Sequence, residues 1–557
     1  MKKAIVLSLA ILLLLLFVFL FYNYIIHSCS GNFIYGLDDS YIHLSLAKNF
    51  VDNGNIGINS EEFGFATSSP LWTATLIIIF KIIGYNELVP FYLNILLSIL
   101  IIVYAHRIIQ KYFNNFLSTF ALLSLTIISI PIVPIIFIGM EHLLHLLLTC
   151  IFIEFIVELK SNPKNKFTNY IILAILTSLL SLVRYEAIFL IIASSIIFFK
   201  SKYRFQYWIT VAFFSVIPHI IIGLFSISNG GFFFPNPIIL KGLEETPSLI
   251  TFIHRYFYSG VINLVENSYL FVSVLVSFAF LIYYSWQKQG DNNRFKSGIS
   301  NENNLQYFFF NSKIEHLKDV NIIFLITTLL HLQFAKTGWF YRYEAYLVGI
   351  FVIFILPLLT KFVIEYAKNS NLIKKTKLGL FLVILFFFLV LPFIHRGIES
   401  LNRLRFAPIN IYEQQFLISK FINSYFPDFP IGVNDIGLTS LKSKAKIIDL
   451  FGLADNTIAK AKYGGFYSPD YFYEYLRKKN CSVLIIYEDW FNTELNYKKE
   501  LIRVASWKIQ NNYVCGMDEV TFYALNYESA YKIKSSLEKY KDILPKTINL
   551  RLLFNSN

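Results

Sequence analysis

The chain has 557 residues, of which 55% are hydrophobic, 18% aromatic and 15% charged, and its mean hydropathy is +0.54. Soluble proteins carry about a quarter charged residues, so this composition excludes a soluble enzyme and indicates a polytopic membrane protein. The net charge of +13 comes from Lys and Arg in short loops between apolar segments. That pattern sets membrane orientation, so we predict a lipid bilayer and no nucleic acid as partner.

The first apolar segment follows Lys2 and Lys3 and extends from Ala4 to Phe21. It is long enough to span a bilayer and no small-residue cleavage motif follows, so we predict an uncleaved helix whose amino end is cytoplasmic. Further apolar runs lie at 71–83, 88–105, 116–137, 143–157, 169–183, 187–199, 208–227, 269–284, 321–335, 345–365 and 378–394.

The positions of Lys and Arg in the loops decide which of these apolar runs span the membrane. If 71–83 crossed the membrane, basic clusters would fall outside, around Arg107, Lys160, Lys200 and Lys374. That would invert the positive-inside rule. The run 71–83 is also short and carries Lys81, which favours an interfacial or re-entrant helix. We therefore predict eleven spanning helices in residues 1–398, with the first outer loop and its juxtamembrane helices at 27–87.

Charged residues become frequent from about residue 400. Short β-rich runs at Lys446–Leu450, Ser482–Tyr487 and Val520–Leu525 alternate with helical patterns at Tyr412–Tyr425, Pro469–Lys479 and Glu528–Tyr540. This alternation predicts a soluble α/β domain over residues 399–557, on the extracytoplasmic side of the inner (plasma) membrane.

The four cysteines are Cys29, Cys150, Cys481 and Cys515, and none stands in a metal-binding spacing. We predict no metal site and no cofactor, and leave a divalent cation as an open alternative. Cys481 and Cys515 fall in the same extracytoplasmic domain, where a disulfide is chemically allowed. The sequence leaves their pairing open.

In this topology, polar residues that charge balance does not explain collect on the outer face. They are Asp38, Asp39 and His43; Gly139, Glu141 and His142; Arg184 and Glu186; Asn236 and Lys241; and Arg342 and Glu344. Asp38 and Asp39 are the only adjacent Asp pair in the sequence and begin an amphipathic run. One interpretation is a helix cap, because Asp oxygens accept the free amides of a first turn. The other is a carboxylate base that takes the proton of an acceptor hydroxyl.

The stretch DDSYIHLSLAKNFVDNGNIGINSEEFGFATSSPLWT, from Asp38 to Thr73, resembles the first outer loop of GT-C glycosyltransferases. It is most similar to the branch of the mycobacterial terminal arabinofuranosyltransferase. Similar segments recur at Gly139–Leu148, Leu182–Ala187, Asn236–Lys241, Tyr341–Leu347 and Asn434–Asp455. The chain departs from the pattern where Arg184-Tyr185-Glu186 replaces Arg-Pro-Glu, and where Ala66-Thr67 replaces Tyr-Thr.

The resemblance implies a polyprenyl-phosphate-linked sugar donor and a glycan or glycolipid acceptor of the cell envelope. Such a transfer needs a carboxylate base on one side of the sugar and cations at the leaving phosphate. Asp38 is the favoured base, with Asp39 as its partner or replacement. Arg184, Lys241 and Arg342 are the candidate cations, and His43, Glu141 and Glu186 are candidate substrate-binding residues. Each of these side chains also has a structural interpretation as a cap, an ion-pair partner or an interfacial residue.

Two rival functions stay open. A lipid-linked sugar transporter or flippase would place polar residues along the middle of its spanning helices. A non-catalytic glycan-assembly factor would leave Asp38 and Asp39 dispensable. The turn at Asp435–Gly437 and the side chain of Asp449 are interpreted first as loop geometry and second as sugar contacts.

Overall fold

The computed structural model describes residues 2–161, 167–242, 258–296, 305–369, 376–498 and 500–554. Apolar helices fill the first two thirds of the chain, and a domain of mixed helices and strands follows. The predicted architecture, a helical membrane protein with a C-terminal α/β domain, is confirmed.

Every apolar run predicted from the sequence is helical in the described residues. The helices of this part are α1 (Lys2–Ser28), α2 (Asp39–Asn53), α3 (Pro70–Ile83), α4 (Val89–Ile109), α5 (Phe116–Ser129), α6 (Ile132–Ile138), α7 (His142–Ser161), α8 (Phe167–Val183), α9 (Ala187–Ile197), α10 (Arg204–Ser228), α11 (Asn236–Gly242), α12 (Ser259–Glu266), α13 (Ser268–Lys296), α14 (Leu305–Phe334), α15 (Ala345–Ile350), α16 (Leu356–Asn369) and α17 (Thr376–Ile411). A π-helical turn, Phe351–Ile355, joins α15 to α16.

Within the described residues, seven helices are long and apolar enough to cross a membrane. They are α1, α4, α7, α10, the segment Phe116–Ile138, and the apolar parts of α13 and α14. Four other apolar helices have 10–17 residues, namely α3, α8, α9 and Ala345–Lys361. A span needs about 20 residues, so the shortness expected of α3 is observed. The count of eleven spans and the orientation in the membrane stay predictions.

The C-terminal domain contains a mixed six-stranded sheet in the order β2-β1-β3-β5-β4-β6. The strands are β1 (Ile431–Val433), β2 (Ile447–Asp449), β3 (Val483–Ile486), β4 (Ile502–Lys508), β5 (Glu519–Ala524) and β6 (Asn549–Leu552). The helices are α18 (Leu417–Tyr425), α19 (Gly437–Lys442), α20 (Asn456–Tyr463), α21 (Pro469–Lys478), α22 (Asn492–Lys498) and α23 (Tyr527–Tyr540). Strand β1 pairs in parallel with β2 and β3, and the other pairings are antiparallel.

The two parts of the chain share one hydrophobic core. Helix α17 passes the predicted boundary at residue 398 and continues through a π-helical turn, Tyr412–Phe416, into α18. Leu37 of the first loop, Ala407 of α17 and Ile436 of the C-terminal domain are buried in the same cluster. The domain boundary stays a prediction, and one continuous helix crosses it.

The cysteine pairing that the sequence left open is settled by the structure. Cys481 and Cys515 are both buried free thiols, as are Cys29 and Cys150. The Cys481 thiol donates to the Val483 carbonyl at 3.5 Å, and the Cys515 thiol donates to Oε1 of Gln415 at 3.6 Å. The disulfide considered from the sequence is therefore not formed.

Candidate active site

Asp38 ends the short loop between α1 and α2, and its side chain faces the C-terminal domain. It makes no capping hydrogen bond to its own helix α2 in the described part of the chain. Its Oδ2 accepts from the backbone N–H of Gly437 at 2.6 Å, and its Oδ1 from that of Leu438 at 2.7 Å. Asp38 therefore binds the first amides of α19, about 400 residues further along the chain.

The approach of Asp38 to α19 requires a glycine. A Cβ atom at Gly437 would lie 2.1 Å from the Asp38 carbonyl oxygen and 2.6 Å from its Oδ2. Ser45 and Ser440 hydrogen-bond through their hydroxyls at 3.1 Å and extend the same contact between α2 and α19. The first loop and the C-terminal domain are thus joined around Asp38.

A second carboxyl group, Asp435, lies against Asp38 at the carboxyl end of β1. Burial raises the pKa of Asp38 well above its usual range, and the charge of Asp435 and a hydrogen bond between the two carboxyls raise it further. Burial also raises the pKa of Asp435, while hydrogen bonds from Asp38 and Gln415 oppose that rise. Two buried carboxyl groups in contact share a proton, so Asp38 is a poor candidate for a free base.

Asp39 has a different environment. Its side chain is 47% exposed, and its Oδ2 accepts a hydrogen bond from Nη2 of Arg342 at 2.6 Å. Arg342 is 2% exposed and donates from Nη1 to the Met140 sulfur at 2.8 Å. Its Nε has no hydrogen-bond partner among the described residues, although buried donors normally have one. The pair therefore combines an accessible carboxylate with a buried cation that has one donor unused.

The segment that carries Arg342 has an uncommon backbone. Gly338, Trp339, Phe340 and Tyr341 all have positive φ, and three of these four residues have a Cβ. Each such residue costs about 1–3 kcal/mol unless its surroundings fix it. The Gly338 N–H donates to Oε2 of Glu344 at 3.0 Å, and Arg396 donates to the Tyr341 carbonyl at 2.7 Å. These contacts hold the turn and set the direction of Arg342.

Glu344 and Arg396 form a buried pair behind this turn. Their contact measures 3.1 Å, and the Tyr269 hydroxyl donates to Glu344 at 2.8 Å. The Arg396 guanidinium also lies 4.9 Å from the Tyr269 ring and 5.2 Å from the Tyr341 ring. Buried charges need such partners, and here the partners are the residues that support the strained turn.

Arg184 occupies the junction of α8 and α9 and is held by two carboxylates. Its Nε and Nη2 bind Glu186 at 3.0 and 2.6 Å, and its Nη1 binds Oε1 of Glu141 at 2.8 Å. The ring of Tyr343 lies between the guanidinium groups of Arg184 and Arg342, at 5.4 and 4.9 Å. The charge of Arg184 is thus balanced by two carboxylates, whereas among the described residues Arg342 forms an ion pair with Asp39.

His43 connects this network to α2. Its Nε2 lies 3.8 Å from Oε2 of Glu141, and its Nδ1 lies 2.9 Å from the Thr73 hydroxyl. Burial lowers the pKa of His43, so the neutral imidazole is favoured. Oε2 of Glu141 and Nε2 of His142 have no hydrogen-bond partner in the described ranges. These two atoms are therefore hydrogen-bonding groups of the site that the surrounding side chains leave unused.

The structure brings seven of the eight predicted residues into one region: Asp38, Asp39, His43, Glu141, Arg184, Glu186 and Arg342. The side chain of Lys241, at the end of α11, lies outside the described residues. Sequence reasoning placed Glu344 on the outer face beside Arg342 but gave it no role, and it interpreted Asp435 first as loop geometry. It missed Tyr343, Arg396, Gln415 and Tyr487. The signal for Tyr343 was present in the YRYEAYL segment, next to Arg342.

The chemistry of the site rests on carboxylates and guanidinium groups. Over the described residues, no group of three or more His, Cys, Asp or Glu side chains is placed to hold a metal ion. Asp39 can accept a proton and Arg342 can bind an anion, so the arrangement suits proton transfer beside a phosphate or carboxylate.

Comparisons with known proteins were made for the whole chain. Residues 409–523 match the model of a domain of unknown function (DUF8728). No curated protein matches the chain at a significant level. Among solved structures, the chain is similar to an archaeal oligosaccharyltransferase, AglB from Archaeoglobus fulgidus, solved in complex with an inhibitory peptide and a dolichol-phosphate. The identity is 11%, the TM-score is 0.45, and the match covers 100% of this chain and 76% of that chain. A similarity this distant assigns no activity.

Proposed function

We propose that this chain is a membrane glycosyltransferase of the GT-C type. It moves one sugar from a polyprenyl-phosphate donor to a hydroxyl group of a cell-envelope glycan or glycolipid. The reaction takes place on the side of the membrane that carries the α/β domain, with the amino terminus on the cytoplasmic side. The observation that carries this proposal is the contact between accessible Asp39 and buried Arg342.

Asp39 is the base in this proposal, and Asp38 is not. Asp38 is buried, accepts two backbone N–H groups and hydrogen-bonds to Asp435, and its raised pKa disfavours the ionised form that a base requires. Asp39 lies one residue away with a half-exposed carboxylate. The adjacent pair therefore divides two roles: Asp38 holds the C-terminal domain, and Asp39 meets the acceptor.

Asp39 and Arg342 supply the proton acceptor and the cation that the transfer step requires. The acceptor oxygen attacks the anomeric carbon, its proton passes to Asp39, and the bond between the anomeric carbon and the phosphate oxygen breaks. The polyprenyl phosphate leaves with the electron pair, and its developing charge is bound by Arg342. Because Arg342 holds Asp39 before the donor arrives, a donor phosphate that binds Arg342 frees the carboxylate to act as a base.

The remaining residues support Arg342 and the acceptor side. Glu141, Arg184 and Glu186 form a fixed network that positions the ring of Tyr343 beneath Arg342. His43 links that network to the helix of Asp39. In this proposal Arg184 is a positioning residue and does not bind the leaving phosphate, because its nitrogens are already occupied by carboxylates.

A purified preparation with a set of polyprenyl-phosphate sugars tests the proposal. Asp39→Asn is expected to lower transfer by about 100-fold or more, which is the usual contribution of a positioned base. Asp39→Glu serves as the matched control and keeps part of the activity. If no donor is consumed under any condition while fluorescent lipid-linked sugar crosses the bilayer, the function is that of a flippase. Wild-type transfer by Asp39→Asn would refute the catalytic assignment.

A further inference from the structure

The C-terminal domain carries exposed aromatic side chains at one tip, the turn Tyr463–Phe466 at the end of α20. Tyr463 is 58% exposed and Phe466 is 56% exposed. Between them stand Gly464 and Gly465, and Gly465 has φ +71°. A Cβ at Gly464 would lie 2.6 Å from the Phe466 ring, so the turn is built to hold that ring against its backbone.

This tip continues the apolar surface of α10. The outward face of α10 is strongly apolar, with Ile221, Leu224, Phe225 and Ile227 each between 45% and 63% exposed. Such a face on a long apolar helix is a lipid contact. After α10, the ring of Phe232 lies 5.4 Å from that of Tyr463, and α11 follows alongside α20. The segment that follows this apolar helix therefore contacts the tip through aromatic rings.

Phe233 shows where this segment packs against α10. A Cβ at Gly223 would lie 2.6 Å from the Phe233 ring, so the chain folds back onto α10 there. Gly223 precedes the end of α10 at Ser228 by five residues, which corresponds to about 7.5 Å along the axis. Phe233 thus packs against the last turns of this apolar helix, and Phe232 beside it contacts the tip.

We propose that the tip Tyr463–Phe466 is a membrane anchor that seats the C-terminal domain in the interfacial zone of the bilayer. Aromatic side chains with one apolar and one polar environment favour this zone. Lys460, exposed on α20, adds a positive charge that favours anionic lipid headgroups. The anchor is independent of the proposed catalytic reaction, since none of its residues belongs to the site around Asp39 and Arg342.

The test uses the full chain in nanodiscs of phosphatidylcholine and phosphatidylglycerol. Phe466→Cys is labelled with the environment-sensitive fluorophore NBD, against a background of four buried native cysteines. The control is Tyr531→Cys, a position 49% exposed beside Phe554 at the opposite edge of the sheet, near β6. Lipids with a doxyl quencher near the headgroup are expected to reduce emission at position 466 and not at 531, with a blue shift at 466.

A label at Tyr463→Cys gives a second reading of the same tip and guards against damage by the first substitution. Equal quenching at 466 and 531, or quenching at 466 and 463 by aqueous iodide and not by doxyl lipid, would overturn the anchor. The second pattern would indicate that the aromatic tip faces water and binds a soluble partner.

Discussion

Arg342 and Asp39 are 303 residues apart in the chain, and Nη2 of the first donates to Oδ2 of the second at 2.6 Å. The contact joins α2 to the strained turn at residues 338–341, which lies between α14 and α15. A charge-assisted hydrogen bond of this length is worth more than a neutral one, and here the arginine is buried while the aspartate is accessible. A ligand phosphate can therefore replace Asp39 as the partner of Arg342.

Substitution of Arg342 by Lys tests this exchange. Lysine keeps the charge but lacks the second donor and the planar contact with Tyr343, so kcat/KM for the donor is expected to fall by about 100-fold. Steady-state kinetics with a polyprenyl-phosphate sugar measure the effect. The control is Arg477→Lys, because Arg477 is 55% exposed and pairs with Glu500 in the C-terminal domain, away from the turn that carries Arg342. That variant is expected to stay within about twofold of the parent.

Gly437→Ala tests the docking of the C-terminal domain. The added Cβ meets the backbone and the carboxylate of Asp38, which have no room to move apart. Overpacking of this kind costs about 1–3 kcal/mol, and the shift should also displace Asp39. The thermal midpoint and transfer activity should both fall. Ser440→Ala on the same helix loses one hydroxyl contact with Ser45 and is expected to cost about 1 kcal/mol or less. Equal effects of the two substitutions would contradict the close fit.

The shared proton of Asp38 and Asp435 predicts a pH dependence of stability. Because the folded pKa of Asp38 is raised above its unfolded value of about 3.9, the folded state binds more protons. The stabilisation that this extra proton provides is fully present at pH values below the unfolded pKa, and it is lost as the pH rises through the folded pKa. The groups facing the pair are Asp39, Gln415, Tyr487 and Cys515.

Asp435→Asn isolates this effect, because the amide cannot titrate and removes the neighbouring charge that raises the pKa of Asp38. Thermal midpoints in nanodiscs, measured from acid to mildly alkaline pH, should decline less steeply for the variant than for the parent. Other buried carboxyls, such as Asp449, titrate in both proteins and cancel in the difference. Parallel curves would rule out the shared proton.

The pair of Glu344 and Arg396 is expected to hold the turn that aims Arg342. Arg396→Met leaves Glu344 buried without its charge partner, which costs about 3–5 kcal/mol. Transfer activity should fall as well, since the left-handed turn loses its hydrogen bond to the Tyr341 carbonyl. Adding Glu344→Gln removes the orphaned charge and should restore part of the stability but not the activity. Chemical denaturation in micelles measures the first quantity.

Much of the architecture was predictable because each element carries its own signal. Each apolar run predicted a helix that is present in the described residues, and the runs at 446–450, 482–487 and 520–525 predicted β2, β3 and β5. Strand β1 contains Gly432 at its centre, and glycine is unfavourable in a strand, so its sequence gives no strand signal. Strand β6 alternates polar and apolar residues, but four residues are too few to separate an edge strand from a loop.

The site was predictable in its residues but not in their partners. The pattern at Asp38 correctly indicated an acidic group at a helix start, yet the helix whose amides it binds is α19 and not α2. Asp435, Gln415 and Tyr487 reach the site through contacts that no local pattern encodes. For the same reason the sequence favoured Asp38 as the base, whereas burial and hydrogen bonding favour Asp39.

Helix α17 has 36 residues, about 54 Å of continuous helix that enters the C-terminal domain through a π-helical turn. Because the helix is this long, a tilt of about 5° at its amino-terminal end moves its carboxyl-terminal end by about 5 Å. That distance is twice the length of the hydrogen bond between Gly437 and Asp38. A shift of this size would break the hydrogen bonds between Asp38 and the first amides of α19. Pro392 and Pro408 both lie within α17, and proline is where a helix can kink.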